Sequence, residues 1–491
     1  MLIAGGAAAA SLTWERFGLS EAANRYGLTQ DVIVALRAQL DGQIVLPSDP
    51  SFEVARRTAS FNPLTDFRPA IIIYCESLAD IARGIEFART QGLPLAARSG
   101  GCDILGRSSC DRGVVIDLSV LNDVTMNLAK SRAMIGAGAT AGLVNSDLAS
   151  HGLAVPLGCD PMVGVGGLTL GGGLGWLLGK HGTASDNMES ATLVSANGDI
   201  IETSRENNPD LFWGLNGGGG NFGIVAGMTF RTAELGRVVG GYLVYSIDTA
   251  TDFLLAYPSL MAQAPRELMV ELASINTARG PVLVAMTCFS GPEDEAEAAL
   301  APFRATGNPV ADDIGVRDYR SVGNPSAQML AAFPAPRDEA VPGSGEADSF
   351  NHWRGCNLLE INQAAANSLV DAMRSAPPGA SIGLGHFIKG AALEVTDMET
   401  AMPRYRGSIC AYCSASWRYA AQSAERIAWV DQARAALAAQ SRSPTYVNYL
   451  DLEDQASVQA TYGANYARLS RIKSRWDPDN IFNNNRNIRP S

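Results

Sequence analysis

The stretch between residues 158 and 182 constrains this chain more than any other. It carries ten glycines in 25 residues, where the overall content of 50 in 491 would place about two or three. These glycines alternate with Val163, Val165, Leu168, Leu170, Leu174, Trp176, Leu177 and Leu178, so the segment is not a polar linker. Apolar, glycine-dense chain is buried chain, and buried glycines at this density bring main chain close against something flat or bulky. A bound ligand is the natural candidate.

Spacing separates the possible phosphate-binding modes. A dinucleotide fingerprint starting at Gly164 and Gly166 needs glycine or alanine at 169, where Thr169 stands. A nucleotide-triphosphate loop fails at Gly179-Lys180, because His181 follows and no glycine lies at the required distance upstream. What remains is anion binding by successive backbone N–H groups in glycine-rich turns. The runs Arg98-Ser99-Gly100-Gly101, Gly164 to Gly167 and Gly171 to Gly173 could together line an extended dinucleotide, with a purely structural glycine corner as the alternative.

Composition narrows the rest. With 46% hydrophobic and 18% charged residues in 491, the chain is folded and long enough for about two to four domains. Acidic residues outnumber basic ones 50 to 38, a formal charge of -12, so neither nucleic acid nor an anionic membrane finds a global electrostatic attraction. No apolar run is long enough to span a bilayer. Eight cysteines are too sparse for a disulfide framework. Residues 1–14 have the length and small-residue content of an export-signal core without its basic start. They read as the remnant of a twin-arginine signal or as an N-terminal arm; export to the periplasm or medium is favoured over a cytoplasmic location, and the compartment stays open.

The pattern of elements is α+β. Residues 77–91 predict a helix with Ser77 at its start, followed by a strand at 93–97 and a glycine turn. A third glycine cluster, 216–225, leads into a strand at 223–231. Beyond Thr232 the composition shifts to Ala, Pro and acidic residues, with helices predicted at 292–306 and 420–440 and a loop at 334–351. The division is then an N-terminal arm and helical segment at 1–50, a ligand-binding domain at 51–233, a second domain at 234–445, and a compact C-terminal segment at 446–491.

The order of motifs is that of a known family. Arg68-Pro69, Arg98-Ser99-Gly100-Gly101 with Asp103 and Gly106, Val114 to Leu118, Val163 to Gly167 running into Gly171 to Gly175, Asp210 to Trp213, Gly217 to Val225, Tyr446-Val447-Asn448-Tyr449, Tyr462 to Tyr466 and Asp477 to Phe482 together resemble the berberine bridge enzyme-like FAD-linked oxidases. These belong to the vanillyl-alcohol oxidase/p-cresol methylhydroxylase flavoprotein superfamily. The resemblance covers the chain from about residue 60 onward. It implies a two-subdomain FAD-binding domain, completed by the C-terminal segment, and a substrate domain with an antiparallel sheet flanked by helices. It also implies FAD contacts from Arg98, Ser99, Gly100, Gly101, Cys102, Asp103 and Gly106 in the first loop. Gly158, Asp160, Val163, Gly164, Gly166, Gly167, Gly171, Gly172 and Gly175 supply the second group, and Gly219, Asn221, Phe222, Gly223, Ile224 and Val225 the third. Tyr446, Asn448, Asn483 and Asn485 supply the last.

Three departures from the family bear on chemistry. The position that usually carries a flavin-linked histidine is Cys102, the usual second-link cysteine is Asp160 with Cys159 one residue earlier, and the frequent histidine after the Val-Gly-Val-Gly-Gly run is Leu168. None of His151, His181, His352 and His386 matches a flavin-linking position. The expectation is noncovalent FAD, with a cysteinyl link through Cys102 or Cys159 as the alternative.

Such an enzyme takes a hydride from a carbon bearing O–H or N–H, and removal of that proton assists the transfer. The resemblance places candidate bases at Tyr449, Tyr446 and Tyr412, with Arg404 or Lys389 as cations able to lower a tyrosine's pKa. Ordinary sheet and core aromatics are the alternative. Cys410 and Cys413 would point to opposite faces of a strand, which makes their C-x-x-C spacing structural. Hydrolase signatures are lacking, including any evident His-Cys pairing. The expected partners are a small alcohol or amine (a sugar, an aromatic alcohol or a secondary metabolite) and O2, without nucleic acid or a membrane span, in a monomer or homodimer. Val163 stands where the family gates oxygen, which favours an oxidase; a dehydrogenase of the same fold and a flavin-binding protein without turnover stay open.

Overall fold

The computed structural model describes residues 28–334, 349–440, 444–451 and 454–491. The export-signal reading of residues 1–14 and most of the loop at 334–351 lie outside them. Three larger sheets organise the described residues, beside a two-stranded one that pairs Leu153–Ala154 with Ala233–Glu234. The first joins β1 (Gln43–Val45), β2 (Ile71–Tyr74), β3 (Leu95–Arg98) and β4 (Val114–Asp117) in the order 1-2-4-3. Strands β2, β4 and β3 are parallel and β1 is antiparallel. Residues 43–45, placed by the sequence in the N-terminal segment, are therefore part of this sheet. Parallel strands bury both faces, and Ile71, Ile72, Ile73, Val114, Val115 and Ile116 are fully buried. The helix Leu78–Gln91 packs on one face, capped by the Ser77 side chain, which accepts from the Asp80 N–H.

The second sheet is wholly antiparallel: β5 (Val124–Asn127), β6 (Arg132–Gly136), β7 (Met188–Val194), β8 (Ile200–Ser204) and β9 (Ile224–Arg231), in the order 5-6-9-7-8. Between its strands β6 and β7 runs the glycine-dense segment.

The third sheet has eight strands. Its main members are β10 (Val238–Ser246), β11 (Leu268–Thr277), β12 (Gly280–Phe289), β13 (Phe350–Leu358), β14 (Ala380–Phe387) and β15 (Ile409–Trp417), ordered 10-12-11-14-15-13. Two short pieces pair with the outer edge of β10. The helices Ala250–Gln263, Gln363–Ser375 and Ser423–Ala438 pack along it. Period-2 alternation then leaves the other face toward the glycine loops.

The C-terminal segment is locked by one buried ion pair. Lys473 Nζ donates to Asp477 Oδ2 at 2.6 Å and to the carbonyls of Asn221 at 2.8 Å and Phe482 at 2.9 Å, and both side chains are fully buried. Asp477 also accepts from the N–H groups of Ile481 and Phe482. Removing one partner leaves an uncompensated buried charge. Lys473→Met should therefore lower the unfolding free energy by about 3–5 kcal/mol, measured as a shift in the denaturant midpoint; an unchanged midpoint would show that the pair contributes nothing.

Candidate active site

The chain leaves β3 through a buried ion pair, Arg98 Nε to Asp117 Oδ2 at 2.5 Å, at the matched ends of two parallel strands. Ser99 Oγ then donates to the Ala137 carbonyl at 2.5 Å, tying the loop to the second sheet. Gly100 and Gly164 meet main chain to main chain. A Cβ on Gly100 would lie 2.4 Å from the Gly164 nitrogen, and a Cβ on Gly164 would lie 2.1 Å from the Gly100 nitrogen. Only glycine permits this approach. The two loops form one wall of a cavity of about 1310 Å³.

Facing them is the free face of the third sheet. Gly383 pairs with Tyr412 across β14 and β15, and the register then shifts between Leu384 and His386. Without that bulge His386 would point away with Leu384; the extra residue, Gly385, turns it to the face of Tyr412. Glu271 on β11 lies on this face too, because its neighbours Leu272 and Ala273 pair with Leu384 and Gly383. His386 Nδ1 is 2.7 Å from Glu271 Oε1, and Cys159 Sγ donates to the same oxygen at 3.0 Å. Trp353 stacks on Tyr412 with centroids 4.6 Å apart and meets Tyr449 edge-on at 6.0 Å. The Tyr412 ring crosses Gly383, whose Cβ would lie 2.1 Å from Tyr412 Cζ. All of these aromatic and polar groups, with Tyr446, line the cavity.

Burial pushes the hydroxyls of Tyr449, Tyr446 and Tyr412 well above the usual phenol range, and Glu271 reinforces this for Tyr412 and Tyr449. The cations expected to counter that effect are engaged elsewhere. Arg404 forms a bidentate pair with Asp186 at 2.8 and 3.0 Å, and Lys389 Nζ donates to the carbonyls of Met261, Ala264, Pro265 and Leu268. Burial thus opposes the phenolate form of all three tyrosines. Tyr446 Oη accepts from the Gly173 N–H at 2.9 Å and from Asn448 Nδ2 at 3.0 Å, which places it between the glycine segment and the C-terminal segment.

The expected flavin contacts divide in two. Arg98 to Asp103, Gly158, Asp160, Val163, Gly164, Gly166, Gly167, Gly219, Asn221, Gly223, Ile224, Val225, Tyr446, Asn448 and Asn485 are on the cavity wall. Gly106, Gly171, Gly172, Gly175, Phe222 and Asn483 are not. The glycines among them press on protein: Gly171 on the Asn448 side chain, Gly172 on Met402 Sδ, Gly175 on the Leu157 carbonyl and Gly106 on Thr65. Phe222 is fully buried behind the wall, and the exposed Asn483 bonds the Asn480 carbonyl. In the second half of the glycine run the Cβ direction of these glycines is therefore filled by protein, while Leu174 and Trp176 from the same stretch line the cavity. Sequence reasoning missed Glu271, Trp353, His386 and Arg486. Only Glu271 carried a signal, as the lone charge in the apolar strand Leu268 to Ala273. Cys159 and His386, far apart in sequence, meet at Glu271 through tertiary contacts.

The cavity fits FAD. It exceeds the roughly 300–1,000 Å³ of ordinary small-molecule pockets, leaving room for an extended dinucleotide beside a substrate. A Cβ on Gly167 or Gly220 would meet nothing within 4 Å, so both wall positions border open space. Among the described residues, the buried polar atoms of the lining without a hydrogen-bond partner include Arg98 Nη2, Tyr462 Oη and Asn485 Oδ1. Arg486 bonds the Leu450 carbonyl and pairs with Asp103, joining the C-terminal segment to the first glycine loop.

An FAD binding domain model matches residues 69–204, and a model described as berberine and berberine like matches residues 445–489. The chain is 30% identical over 476 residues to (R)-6-hydroxynicotine oxidase of Paenarthrobacter nicotinovorans, covering 93% of this chain and 98% of that protein. Its structure is similar to that of 6-hydroxy-D-nicotine oxidase from Arthrobacter nicotinovorans, with a TM-score of 0.80, 27% identity, and 92% and 98% of the two chains covered. Berberine bridge enzyme from Eschscholzia californica shares the fold at a TM-score of 0.79 and 22% identity, over 94% of this chain and 99% of that one. The likeness runs through both loops that wall the cavity and the segment that closes it, and so this chain belongs to the berberine bridge enzyme-like FAD-linked oxidoreductases, flavoenzymes of mixed α+β fold with FAD as cofactor.

Proposed function

We propose that this enzyme oxidises a carbon bearing an amine or hydroxyl group and passes the electrons to O2, forming H2O2. The observation that carries the reading is the facing of two unlike walls across one cavity: glycine main chain suited to a flavin, and a carboxylate set among neutral phenols, an indole and an imidazole. FAD, when bound, supplies the hydride acceptor and, once reduced, the electrons for oxygen. Glu271 Oε1 accepts the proton of the substrate's N–H or O–H, since it is the carboxylate closest to His386 and Cys159 on the substrate side. Tyr449 and Tyr412, held neutral by burial, donate hydrogen bonds that orient the substrate, and Trp353 supplies an apolar face against which it lies. The name of the relative that acts on hydroxynicotine favours an amine, and Val163 on the wall favours reoxidation by oxygen over another acceptor.

FAD is held without a covalent bond. The Cys102 thiol donates to the Gly100 carbonyl at 3.4 Å and the Met162 carbonyl at 3.7 Å. Burial, with Asp160 nearby, pushes its pKa up to about 11, which keeps it from acting as a thiolate nucleophile at neutral pH. Cys159 turns to Glu271 on the substrate sheet.

Two outcomes follow. In anaerobic stopped flow with a panel of aryl amines and alcohols, Glu271→Gln should slow flavin bleaching by the best substrate about 10²–10⁴-fold. Tyr449→Phe should slow it about tenfold, and admitting air to the wild type should restore the colour with stoichiometric peroxide. Bleaching within twofold of wild type in Glu271→Gln would remove the carboxylate from the mechanism. Acid precipitation of the wild type should leave a colourless pellet under a yellow supernatant; flavin mass retained on the denatured chain would establish a covalent link, and peptide mapping would assign it to Cys102 or Cys159.

A further inference from the structure

We infer that Cys159, Glu271 and His386 together form a binding site for one thiophilic divalent cation of the Zn2+ class on the substrate side of the cavity. The three ligand atoms, Sγ, Oε1 and Nδ1, lie within 4.8 Å of one another. They come from three separate segments: the loop before the first glycine of the Gly164 turn, β11, and the bulge of β14. Thiolate, imidazole and carboxylate are the donors zinc takes in sites with three protein ligands and an open fourth position. Here the open position faces the cavity that all three residues line.

Two further observations point to a cation. His386 Nδ1 is buried and, although 2.7 Å from Glu271 Oε1, does not meet hydrogen-bond geometry with it or with any other atom among the described residues. After burial, the carboxylate of Glu271 acts on Cys159, Tyr412 and Tyr449, and that of Asp160 on Cys159 and Tyr412, so two carboxylates act on this end of the cavity. The contacts are 2.7 Å from His386 Nδ1 and 3.0 Å from Cys159 Sγ to Glu271 Oε1. Tetrahedral zinc sets ligand pairs at about 3.4–3.6 Å, so both would open by about 0.6 Å, which side-chain torsions can supply.

Binding breaks the Cys159 S–H bond and forms Zn–S, Zn–N and Zn–O bonds. The thiol proton leaves to solvent, and the imidazole proton moves to Nε2 so that Nδ1 can coordinate, giving one proton released per ion. The site stands on its geometry alone. Its effect on turnover, reversible blocking of substrate oxidation by occupying Glu271, rests on the proton-acceptor reading given above.

The test uses FAD-loaded enzyme stripped with EDTA, gel-filtered and equilibrated with zinc sulfate. The expected result is one zinc per flavin by elemental analysis, one proton released per zinc in weak buffer, and loss of substrate-driven bleaching that EDTA restores. Cys159→Ser and His386→Gln, which remove ligands themselves, should each weaken zinc retention by at least the roughly 10–100-fold that loss of an outer-shell partner costs, with the flavin spectrum retained. Substoichiometric zinc in the wild type, or equal retention in both variants, would overturn the site. Stoichiometric zinc with bleaching unimpaired would support the site and overturn the role of Glu271.

Discussion

The contact of Gly100 with Gly164 is the constraint on which the rest of the site depends. Two loops from different sheets meet with no side chain between them, each position so close to the other's nitrogen that a methyl group would overlap it. A substitution at either place would force the loops apart by more than the side-chain torsions could absorb. Because one loop carries Ser99 to Asp103 and the other Asp160 to Gly167, this approach sets the distance between the two halves of the flavin wall. The Arg98–Asp117 pair and the Ser99 bond to Ala137 fix the loop exits on either side of it.

The substrate wall is governed by strand register. Glu271, Tyr412 and His386 share a face only because β11, β14 and β15 pair as they do and because β14 bulges at Gly385. The same register gives Tyr412 and Tyr449 their room: the ring of one crosses Gly383, and the main chain of the other presses on Gly355. With Arg404 bound to Asp186 and Lys389 to carbonyls, the carboxylate is left among phenols and an imidazole. That environment suits a group that must receive a proton, and the same charge is what would draw in a metal cation.

Much of the fold was legible because its signals are local. Ser77 and the periodicity after it pointed to the helix Leu78–Gln91, and the strand expected to carry Cys410 and Cys413 on opposite faces is Ile409–Trp417, in which Tyr412 and Ser414 share one face and Ala411 and Cys413 the other. The glycine run was legible as buried main chain in close contact, but not as to what it contacts. Gly164, Gly166 and Gly167 face the cavity, whereas Gly171, Gly172 and Gly175 meet Asn448, Met402 and Leu157. A glycine records only that space is lacking at Cβ, and protein and ligand fill that space equally well.

The sequence by itself pointed to the cofactor class through its resemblance to a flavoprotein family, because the glycine turns and the C-terminal tyrosine and asparagine motifs that carry the resemblance are short-range patterns whose order survives in one dimension. It also determined that Cys410 and Cys413 point apart, since alternation along a strand is a local property. Only the tertiary structure decided the chemistry of the substrate side. Cys159, Glu271 and His386 are separated by 112 residues in one interval and 115 in the next, and they meet through a loop, a strand register and a single inserted residue. A one-residue shift in that register turns a side chain to the opposite face of the sheet, and no spacing read along the chain records such a shift.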